Sequence, residues 1–255
     1  MIQLVKFSKR NIIKFKFKKK MKSKTTKDYV EVIYNEHDRP FTTYPEKLAK
    51  YLFNRYDLKK GQKLLDVGCG RGEFLKGFID CGLDGFAVDQ SEAVLKYLPD
   101  SNFKKSDIEN QGIPYPDNFF EIVYSKSVIE HFYDPDKLIK EVFRILKPGG
   151  LVITLCPSWE HNYKIYFEDY THRSPFMVRS LKDIQAINGF NNIEVEFFRQ
   201  LPFLWQRKNF IIFAEITRLF LPDFLYTIES NSNLNKWIRF SKEIMLLASA
   251  RKPLI

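Results

Sequence analysis

The sequence predicts an α/β fold built on a parallel sheet. From about residue 45, short apolar runs typical of strands alternate with amphipathic runs typical of helices, and the first strand leads into a glycine-rich turn. Such alternation implies right-handed βαβ units and therefore a parallel sheet. The chain has 255 residues, 44% of them hydrophobic and 16% aromatic, enough to fill the core of one large domain or two small ones. Disorder is therefore excluded for most of the chain.

The first elements follow from helical spacing and from apolar runs. A helix beginning near Pro45 is predicted because Leu48, Leu52 and Tyr56 recur at helical spacing, and residues 58–61 end it. Six strand candidates come after it, at residues 63–67, 85–89, 102–107, 119–125, 151–156 and 193–199. The chain contains no internal repeat, which excludes a repeat architecture.

The clearest helix is predicted from residue 135 to residue 146. Asp134 is expected to cap it, with Pro135 at its first position, and residues 147–150 (Lys-Pro-Gly-Gly) to end it. One face carries the apolar residues Leu138, Ile139, Val142, Phe143 and Leu146. The helix is therefore amphipathic, as the crossover of a βαβ unit is.

An apolar insertion at about residues 203–240 interrupts the alternation and precedes a last strand predicted at residues 243–248. Between Phe210 and Leu221 only Glu215, Thr217 and Arg218 are polar, so the helix there is apolar on most of its circumference. Such a helix is usually buried against its own domain, which is the favoured interpretation. The alternative is a cap over a lipid-like substrate or an element that lies on a membrane.

The net charge is concentrated at the N-terminus. The formal charge is +10, but residues 1–27 hold eleven Lys or Arg and no acid, which leaves 30 basic against 31 acidic residues in 28–255. A near-neutral body argues against nucleic acid as a partner. We interpret residues 1–27 as a disordered or surface-bound tail and residues 28–255 as the domain. The tail is either an extension upstream of a natural start at Met21 or a segment attracted to anionic lipid.

Cysteine content and the distribution of apolar residues indicate in which cellular compartment the protein is expected. Cys69, Cys81 and Cys156 are odd in number and form no close pair, so neither a disulfide framework nor a zinc motif is indicated. No run approaches the roughly 18 apolar residues of a membrane span, and the N-terminus lacks the apolar stretch of a signal peptide. A cytoplasmic location is expected, with peripheral membrane contact through residues 1–27 or 203–240 as an option.

The residues most indicative of chemistry lie at the ends of the first three strands. Residues 64–72 join strand to helix through glycines that let the backbone approach a ligand closely. Glu73 stands where a dinucleotide fingerprint has its third glycine, and a carboxylate there opposes a phosphate. Asp66, Asp89 and Asp107 end adjacent strands, where carboxylates suit a ribose and a cationic amine. A nucleoside with a positively charged tail fits this crevice, and S-adenosylmethionine has that shape.

Five stretches at compatible spacing resemble class I S-adenosylmethionine-dependent methyltransferases over about residues 45–200. They are LDVGCGRG (65–72), AVDQS (87–91), SDI (106–108), IPYPDNFFEIV (113–123) and LKPGG (146–150). The resemblance implies a doubly wound, mostly parallel, seven-stranded sheet whose last strand is antiparallel. It also implies cofactor contacts by Asp66, Gly68 and Gly70 (methionine end), Asp89 with Gln90 beside it (ribose), Asp107 and Ile108 (adenine) and the backbone of Ser125 (sulfonium side).

Two further stretches bear on the acceptor and on metals. Enzymes that methylate exocyclic amines of bases carry Asn or Asp followed by Pro-Pro and an aromatic after the fourth strand, whereas residues 125–128 read Ser-Lys-Ser-Val. This argues against base N-methylation. Glu130-His131 resembles quinone-ring O-methyltransferases, but Ser127 stands where their additional metal-binding acid lies. No metal is predicted, and His131 is expected to line the acceptor pocket or to serve the structure.

The segment 169–176 (Asp-Tyr-Thr-His-Arg-Ser-Pro-Phe) resembles the D-x-T-H-x-R-P-F pattern of methyltransferases associated with bacterial surface-glycan assembly. Arg173 comes one position early, and Ser174 takes the usual arginine place. His172 is the candidate general base, because a neutral imidazole accepts a proton near pH 7, and Asp169 is expected to orient it. Alternatively, both side chains only hold the loop. Arg173 is a candidate acceptor-binding residue, since the segment follows the fifth strand.

Four functions remain compatible with the sequence. The leading hypothesis is O-methylation of a sugar or glycan, with a small molecule or a lipid-linked glycan as the acceptor. A second is methylation of a quinone or another lipid, which the apolar insertion favours. The others are a protein that binds S-adenosylmethionine without catalysis and, outside this family, a nicotinamide-dependent oxidoreductase. Binding of S-adenosylmethionine without turnover would indicate the non-catalytic protein. Titration with nicotinamide nucleotides would distinguish the oxidoreductase from the other three.

Overall fold

The computed structural model describes residues 32, 36, 39–222, 225 and 232–254, with the backbone only at Lys208. The basic tail predicted at residues 1–27 therefore lies outside the described residues. The strands are β1 (Lys63–Val67), β2 (Asp84–Asp89), β3 (Asn102–Lys105), β4 (Phe120–Lys126), β5 (Leu146–Pro157), β6 (Asn191–Arg199) and β7 (Ile244–Arg251). They form one seven-stranded sheet in the order β3-β2-β1-β4-β5-β7-β6.

The direction of the strands follows the predicted pattern. Strands β3, β2, β1, β4 and β5 are parallel to one another, whereas β7 runs antiparallel to both of its neighbours, β5 and β6. This confirms the predicted doubly wound, mostly parallel sheet with an antiparallel last strand. The winding reverses at β1, which lies between β2 and β4. Sheets of this kind bind ligands in the crevice at the carboxyl ends of the strands beside such a switch point.

Helices cover both faces of the sheet. They are α1 (Tyr44–Arg55), α2 (Glu73–Asp80), α3 (Val94–Tyr97), α4 (Ile108–Gln111), α5 (Pro135–Ile145), α6 (Trp159–Asn162), α7 (Val178–Ile187), α8 (Pro202–Gln206), α9 (Ile211–Phe220) and α10 (Asn233–Lys242). One apolar cluster joins Leu65 and Val67 of β1 to α5 and α7, and a second joins Leu64 to α1 and α2. Because successive strand residues point to opposite faces, the two clusters fill the two sides of the sheet.

The predicted strands occur at the predicted places, and every strand except β1 differs from its predicted bounds by at least one residue. β3 ends at Lys105, earlier than predicted, because Asp107 takes the N-cap position of α4. β5 begins at Leu146, because that residue pairs with Phe120 before the regular register starts at Leu151. The preceding helix ends at Ile145, and residues 147–150, which we expected to end it, belong to β5.

The helix predicted at residues 135–146 is α5, and its apolar face packs as expected. Leu138, Ile139 and Val142 are buried, whereas Leu146 already belongs to β5. The predicted cap is wrong: Asp134 occupies the N-cap position, but its side chain makes no capping hydrogen bond. Instead, its backbone N–H donates to the carboxylate of Glu109 at 2.8 Å.

The apolar insertion forms α8, α9 and α10. We expected its apolar helix to be buried, and this expectation is wrong, since Ala214 and Thr217 are the only buried residues described in α9. The reason is that α9 rests on α10 along this narrow strip, where the Trp237 indole N–H donates to Thr217 Oγ1 at 2.9 Å. The larger apolar residues of α9 face outward. None of the described helices is long and apolar enough to cross a bilayer.

Candidate active site

Positive φ angles shape the glycine-rich turn between β1 and α2. Gly68 has a φ of 71° and Gly70 a φ of 53°, values that residues with a Cβ rarely adopt. A Cβ at Gly68 would lie 2.3 Å from Cγ2 of Val128, so the segment after β4 packs directly on the turn. A Cβ at Gly70 would meet nothing within 4 Å. The turn thus contacts the segment after β4 at Gly68 and leaves bare backbone accessible at Gly70.

Asp66 lies in β1, just before the turn, and is almost completely buried. Its Oδ2 atom has no hydrogen-bond partner among the described residues. Burial, and then the negative charge of Asp89, raises the pKa of the Asp66 carboxyl well above its usual range. A buried carboxyl of this kind requires a donor or a positive charge. The ammonium group of S-adenosylmethionine provides both, so the residues present fit this cofactor.

Asp89 ends β2 and ties the turn to the next segment. Its Oδ2 accepts a hydrogen bond from the backbone N–H of Gly70 at 2.9 Å, and its Oδ1 accepts one from the N–H of Ser91 at 2.8 Å. Gln90, between them, is exposed. Asp89, which is predicted to bind the ribose, therefore also holds the glycine-rich turn in its conformation.

The remaining predicted cofactor residues follow β3 and end β4. Asp107 Oδ2 accepts a hydrogen bond from the Asn110 side-chain amide at 2.8 Å, and Ile108 is buried in the core. Ser125 pairs with Val67 across the switch point, and its buried Oγ has no hydrogen-bond partner in the described part of the chain. Asp66, Asp89 and Ser125 thus lie at adjoining strand ends, with Asp107 beyond β3. Their contacts to the cofactor stay predictions.

The start of α2 carries an ion pair that the sequence reasoning missed in part. Glu73 was singled out, but its partner Arg71 was not. The buried Arg71 guanidinium donates to Glu73 Oε2 from Nη2 at 2.7 Å and from Nε at 3.1 Å, and to the Arg39 carbonyl oxygen at 2.8 Å. A carboxylate therefore occupies the helix N-terminus that holds the pyrophosphate in dinucleotide sites, which favours a nucleoside without phosphates.

A second cluster, on the acceptor side, brings His131 and His172 together with their ring centroids 4.9 Å apart. Thr171 connects His131 to Asp169, because its hydroxyl donates to Asp169 Oδ1 and lies 2.9 Å from His131 Nδ1. The hydroxyl oxygen therefore accepts the proton of Nδ1, which leaves the lone pair of His131 on Nε2. Burial, followed by the charge of His172, lowers the pKa of His131 and keeps its ring neutral.

His172 is held by the backbone. Its Nδ1 lies 2.5 Å from the carbonyl oxygen of Tyr166 and donates to it, so Nε2 carries the lone pair here as well. Asp169 Oδ2 lies 4.0 Å from His172 Nε2, beyond hydrogen-bond range. The orienting group of His172 is therefore the Tyr166 carbonyl rather than the predicted Asp169, which acts on His131 through Thr171.

Arg173 fastens this loop to the segment after β4. Its backbone N–H donates to the carbonyl oxygen of Glu130 at 2.7 Å, and its guanidinium donates to the carbonyl oxygen of Tyr170. The guanidinium also lies 5.0 Å above the ring of Tyr133. Ser174, in the usual arginine place, donates from Oγ to the Phe132 carbonyl oxygen at 2.9 Å. These contacts show a structural role for Arg173, and its contact with an acceptor stays a prediction.

Two charged residues, the partly buried Lys126 and the fully buried Glu130, border this cluster and were not predicted as site residues. Burial raises the pKa of Glu130 to about 8, although the charge of Lys126 opposes the shift. Burial likewise lowers the pKa of Lys126 to about 8, and the charge of Glu130 opposes that shift. The sequence carried a signal for Glu130, in its pairing with His131, but none for Lys126.

The same cluster contains the arrangement that most resembles a metal site. One donor atom from each of Glu130, His131 and His172 lies within 4.8 Å of the others. Such a set could hold a divalent cation. Ser127 supplies no further acid, and the raised pKa of Glu130 favours its protonated form. The prediction of no metal stays a prediction.

Comparison with known proteins identifies the family. The profile described as "Methyltransferase domain" matches residues 34–195, more than half of the chain. The chain therefore belongs to this family. Membership confirms the predicted class, a class I S-adenosylmethionine-dependent methyltransferase domain.

Individual relatives cover the same part of the chain. Phosphoethanolamine N-methyltransferase 2 of Caenorhabditis elegans is 30% identical over 152 residues, which are 55% of this chain and 35% of the relative. Demethylmenaquinone methyltransferase of Paenarthrobacter aurescens is 34% identical over 120 residues, 43% of this chain and 47% of the relative. A SAM-dependent methyltransferase from Archaeoglobus fulgidus shares the fold with a TM-score of 0.59 at 23% identity, covering 88% of this chain and all of that one. The chain spans less than half the length of these two curated relatives.

Proposed function

We propose that the protein uses S-adenosylmethionine to methylate a hydroxyl group of a sugar or glycan in the cytoplasm, with a lipid-linked glycan as one form of the acceptor. The observation that carries the proposal is the pair His131 and His172, 4.9 Å apart, in a cluster that begins three residues after Val128. Val128 itself packs on Gly68 of the cofactor turn. The pair of imidazoles is therefore attached to the cofactor turn through the segment after β4.

Some residues of the crevice bind the cofactor, and another accepts the proton of the acceptor. When bound, S-adenosylmethionine supplies a methyl group that its sulfonium makes electrophilic. Asp66 accepts hydrogen bonds from the ammonium group, and Asp89 binds the ribose. A hydroxyl must lose its proton as it is methylated, and His172 accepts that proton at Nε2. The segment that carries His172 resembles the glycan-assembly pattern, and this supports a sugar as the acceptor.

A second candidate is methylation of a quinone or another lipid. The identity of 34% to a demethylmenaquinone methyltransferase favours it, as does the Glu130-His131 pair. In this case, His172 would accept the proton of a ring hydroxyl. The two candidates differ in the acceptor and share the cofactor site.

Mass spectrometry of reaction products tests the proposal. Glycan and lipid fractions are incubated separately with the full chain and with S-adenosylmethionine labelled in its methyl group. We expect the label on a sugar hydroxyl. Label confined to a quinone would replace the first candidate by the second. Cofactor binding with no label in either fraction would indicate a non-catalytic protein. Tighter binding of NAD than of S-adenosylmethionine in calorimetry would contradict the identification of S-adenosylmethionine as the cofactor.

A further inference from the structure

The outer side of α9 carries only large apolar side chains. Ile212, Phe213, Ile216, Leu219 and Phe220 are exposed, by between 47% and 76%. Their spacing of i, i+1, i+4, i+7 and i+8 places them on one side of the helix. These five residues are called the α9 face below.

The other sides of α9 already account for its contacts with the domain. Ala214 and Thr217 are buried in the strip that rests on α10. Glu215 accepts from Arg218 Nε at 2.8 Å and also pairs with Arg199 of β6. The α9 face is therefore not used for packing by the part of the domain that the structure describes. A contiguous exposed apolar surface of this kind marks an interaction site.

The segment that carries the α9 face has an excess of basic residues. Residues 200–242 contain six Lys or Arg against three acidic residues. Arg207 is exposed just before α9, and the half-buried Lys236 lies on the neighbouring α10, where Arg239 is already paired with Glu243. An apolar strip bordered by cationic residues is typical of helices that lie in the interface of an anionic bilayer. The five side chains of the face carry no polar atom, which suits insertion at the boundary between headgroups and acyl chains.

The insertion leaves and re-enters the sheet at the end where the crevice opens. It leaves after Arg199, the last residue of β6, which pairs with Ile244, the first residue of β7. Pro157, the last residue of β5, pairs with the adjacent Met245, and the loop with His172 follows Pro157. The ion pair between Arg199 and Glu215 keeps α9 at this end of the sheet. The α9 face and the candidate acceptor site thus belong to the same end of the molecule.

We propose that the α9 face docks on the surface of an anionic lipid bilayer. In this arrangement α9 lies along the interface and its five apolar side chains enter the boundary between headgroups and acyl chains. Arg207 and Lys236 contact the anionic headgroups. The end of the sheet that carries the acceptor site then faces the membrane. The docking is a property of the surface and does not depend on the proposed acceptor.

Co-sedimentation with vesicles tests the docking. The full chain is mixed with vesicles of phosphatidylglycerol and phosphatidylcholine, and with vesicles of phosphatidylcholine alone. We expect the wild type to partition onto the anionic vesicles at least tenfold more strongly than the double variant Phe213→Glu/Phe220→Glu. Both proteins carry the same basic N-terminal segment, so the difference between them belongs to α9. Weaker partition onto the neutral vesicles would reflect the contribution of the basic residues.

The matched control is Ile187→Glu/Leu254→Glu, which introduces the same two charges at an exposed isoleucine of α7 and an exposed leucine after β7. It is expected to bind vesicles as the wild type does. Should the double variant lose its thermal unfolding transition, Leu219→Gln serves instead, with an expected loss of about threefold. Equal partition of wild type and folded variants would overturn the proposal. A wild-type dimer that the face variants convert to monomers, with vesicle binding unchanged, would assign the face to a second copy and also overturn it.

Discussion

The two halves of the crevice are assembled over different distances along the chain. In the cofactor half, the hydrogen bond from Gly70 to Asp89 spans 19 residues and joins two neighbouring strand ends. In the acceptor half, Thr171 reaches His131 across 40 residues, from the loop after β5 to the segment after β4. The cofactor half is therefore a local property of successive βα units, whereas the acceptor half exists only once two separate loops have come together. The two halves should respond separately to substitution.

The largest expected effect concerns the acceptor half. His172→Ala should lower kcat by about 10² to 10⁴, because the acceptor hydroxyl loses its proton acceptor. Cofactor affinity should stay unchanged, since the cofactor half does not include this residue. Steady-state kinetics with the identified acceptor, together with calorimetry of S-adenosylmethionine binding, measures both quantities.

A histidine outside the cluster provides the control for that substitution. His161 lies on α6 and its Nδ1 is hydrogen-bonded to Ser158 Oγ at 3.0 Å. His161→Ala should leave kcat close to that of the wild type. A normal kcat in His172→Ala would remove His172 from the catalytic role and make His131 the next base to test.

The second effect is the pH dependence that buried Glu130 confers. The pKa of its carboxyl is raised to about 8 in the folded protein and is about 4.3 when unfolded. The folded state therefore holds a proton that the unfolded state has released, and this contribution to stability falls as the pH rises from about 5 to about 8. Glu130→Gln should reduce this fall in the free energy of unfolding by a few kcal/mol, since each pKa unit is worth about 1.4 kcal/mol.

Urea unfolding at pH 5.5 and pH 8 measures this difference. Lys126, which faces Glu130, has its pKa lowered to about 8, so its own contribution changes above this window. Glu121→Gln is the control, because the pKa of Glu121 is lowered rather than raised, with the lowering coming from hydrogen bonds and the charge of Lys147. Parallel pH profiles for wild type and Glu130→Gln would mean that Glu130 is ionised in the folded protein.

The third effect belongs to the cofactor half. Asp89→Ala should weaken the binding of S-adenosylmethionine by about 1 to 3 kcal/mol. The ribose loses charged hydrogen bonds, and the N–H of Gly70 loses its acceptor. Asp89→Asn keeps an acceptor oxygen and should lose less. Calorimetry measures both affinities, and kcat at saturating cofactor should change little. Unchanged affinity in Asp89→Ala would place the ribose elsewhere.

The sequence predicted the parts of the protein in which short-range constraints dominate. Apolar runs and the glycine turn located the strands of the sheet, and the placement of Asp66 and Asp89 at strand ends located the cofactor half. The family resemblance supplied the antiparallel last strand, which no local pattern could give. Arg71 was missed because its pairing with Glu73 depends on how the turn folds.

The parts that could not be predicted depend on tertiary contacts. The link from Asp169 through Thr171 to His131 joins loops that are distant in sequence, and nothing in either loop indicates the other. The partial burial of Lys126, which lowers its pKa, likewise depends on the assembled fold. The prediction that the apolar helix of the insertion is buried was wrong for a related reason. An apolar helix is compatible with burial or with an external partner, and how much of it is buried depends on how much surface α10 offers.

The smallest expected effect tests whether the acceptor half acts as a unit. Thr171→Val preserves the shape of the side chain but removes the hydroxyl that connects Asp169 to His131. We expect kcat to fall about tenfold, because the loss of one hydrogen bond of about 1 to 1.5 kcal/mol lets the His131 ring turn away from its orientation. Thr171→Ser should restore most of the rate. Cofactor affinity, measured in the same preparations, should be unchanged, and an equal loss of affinity would show that the two halves of the crevice are coupled.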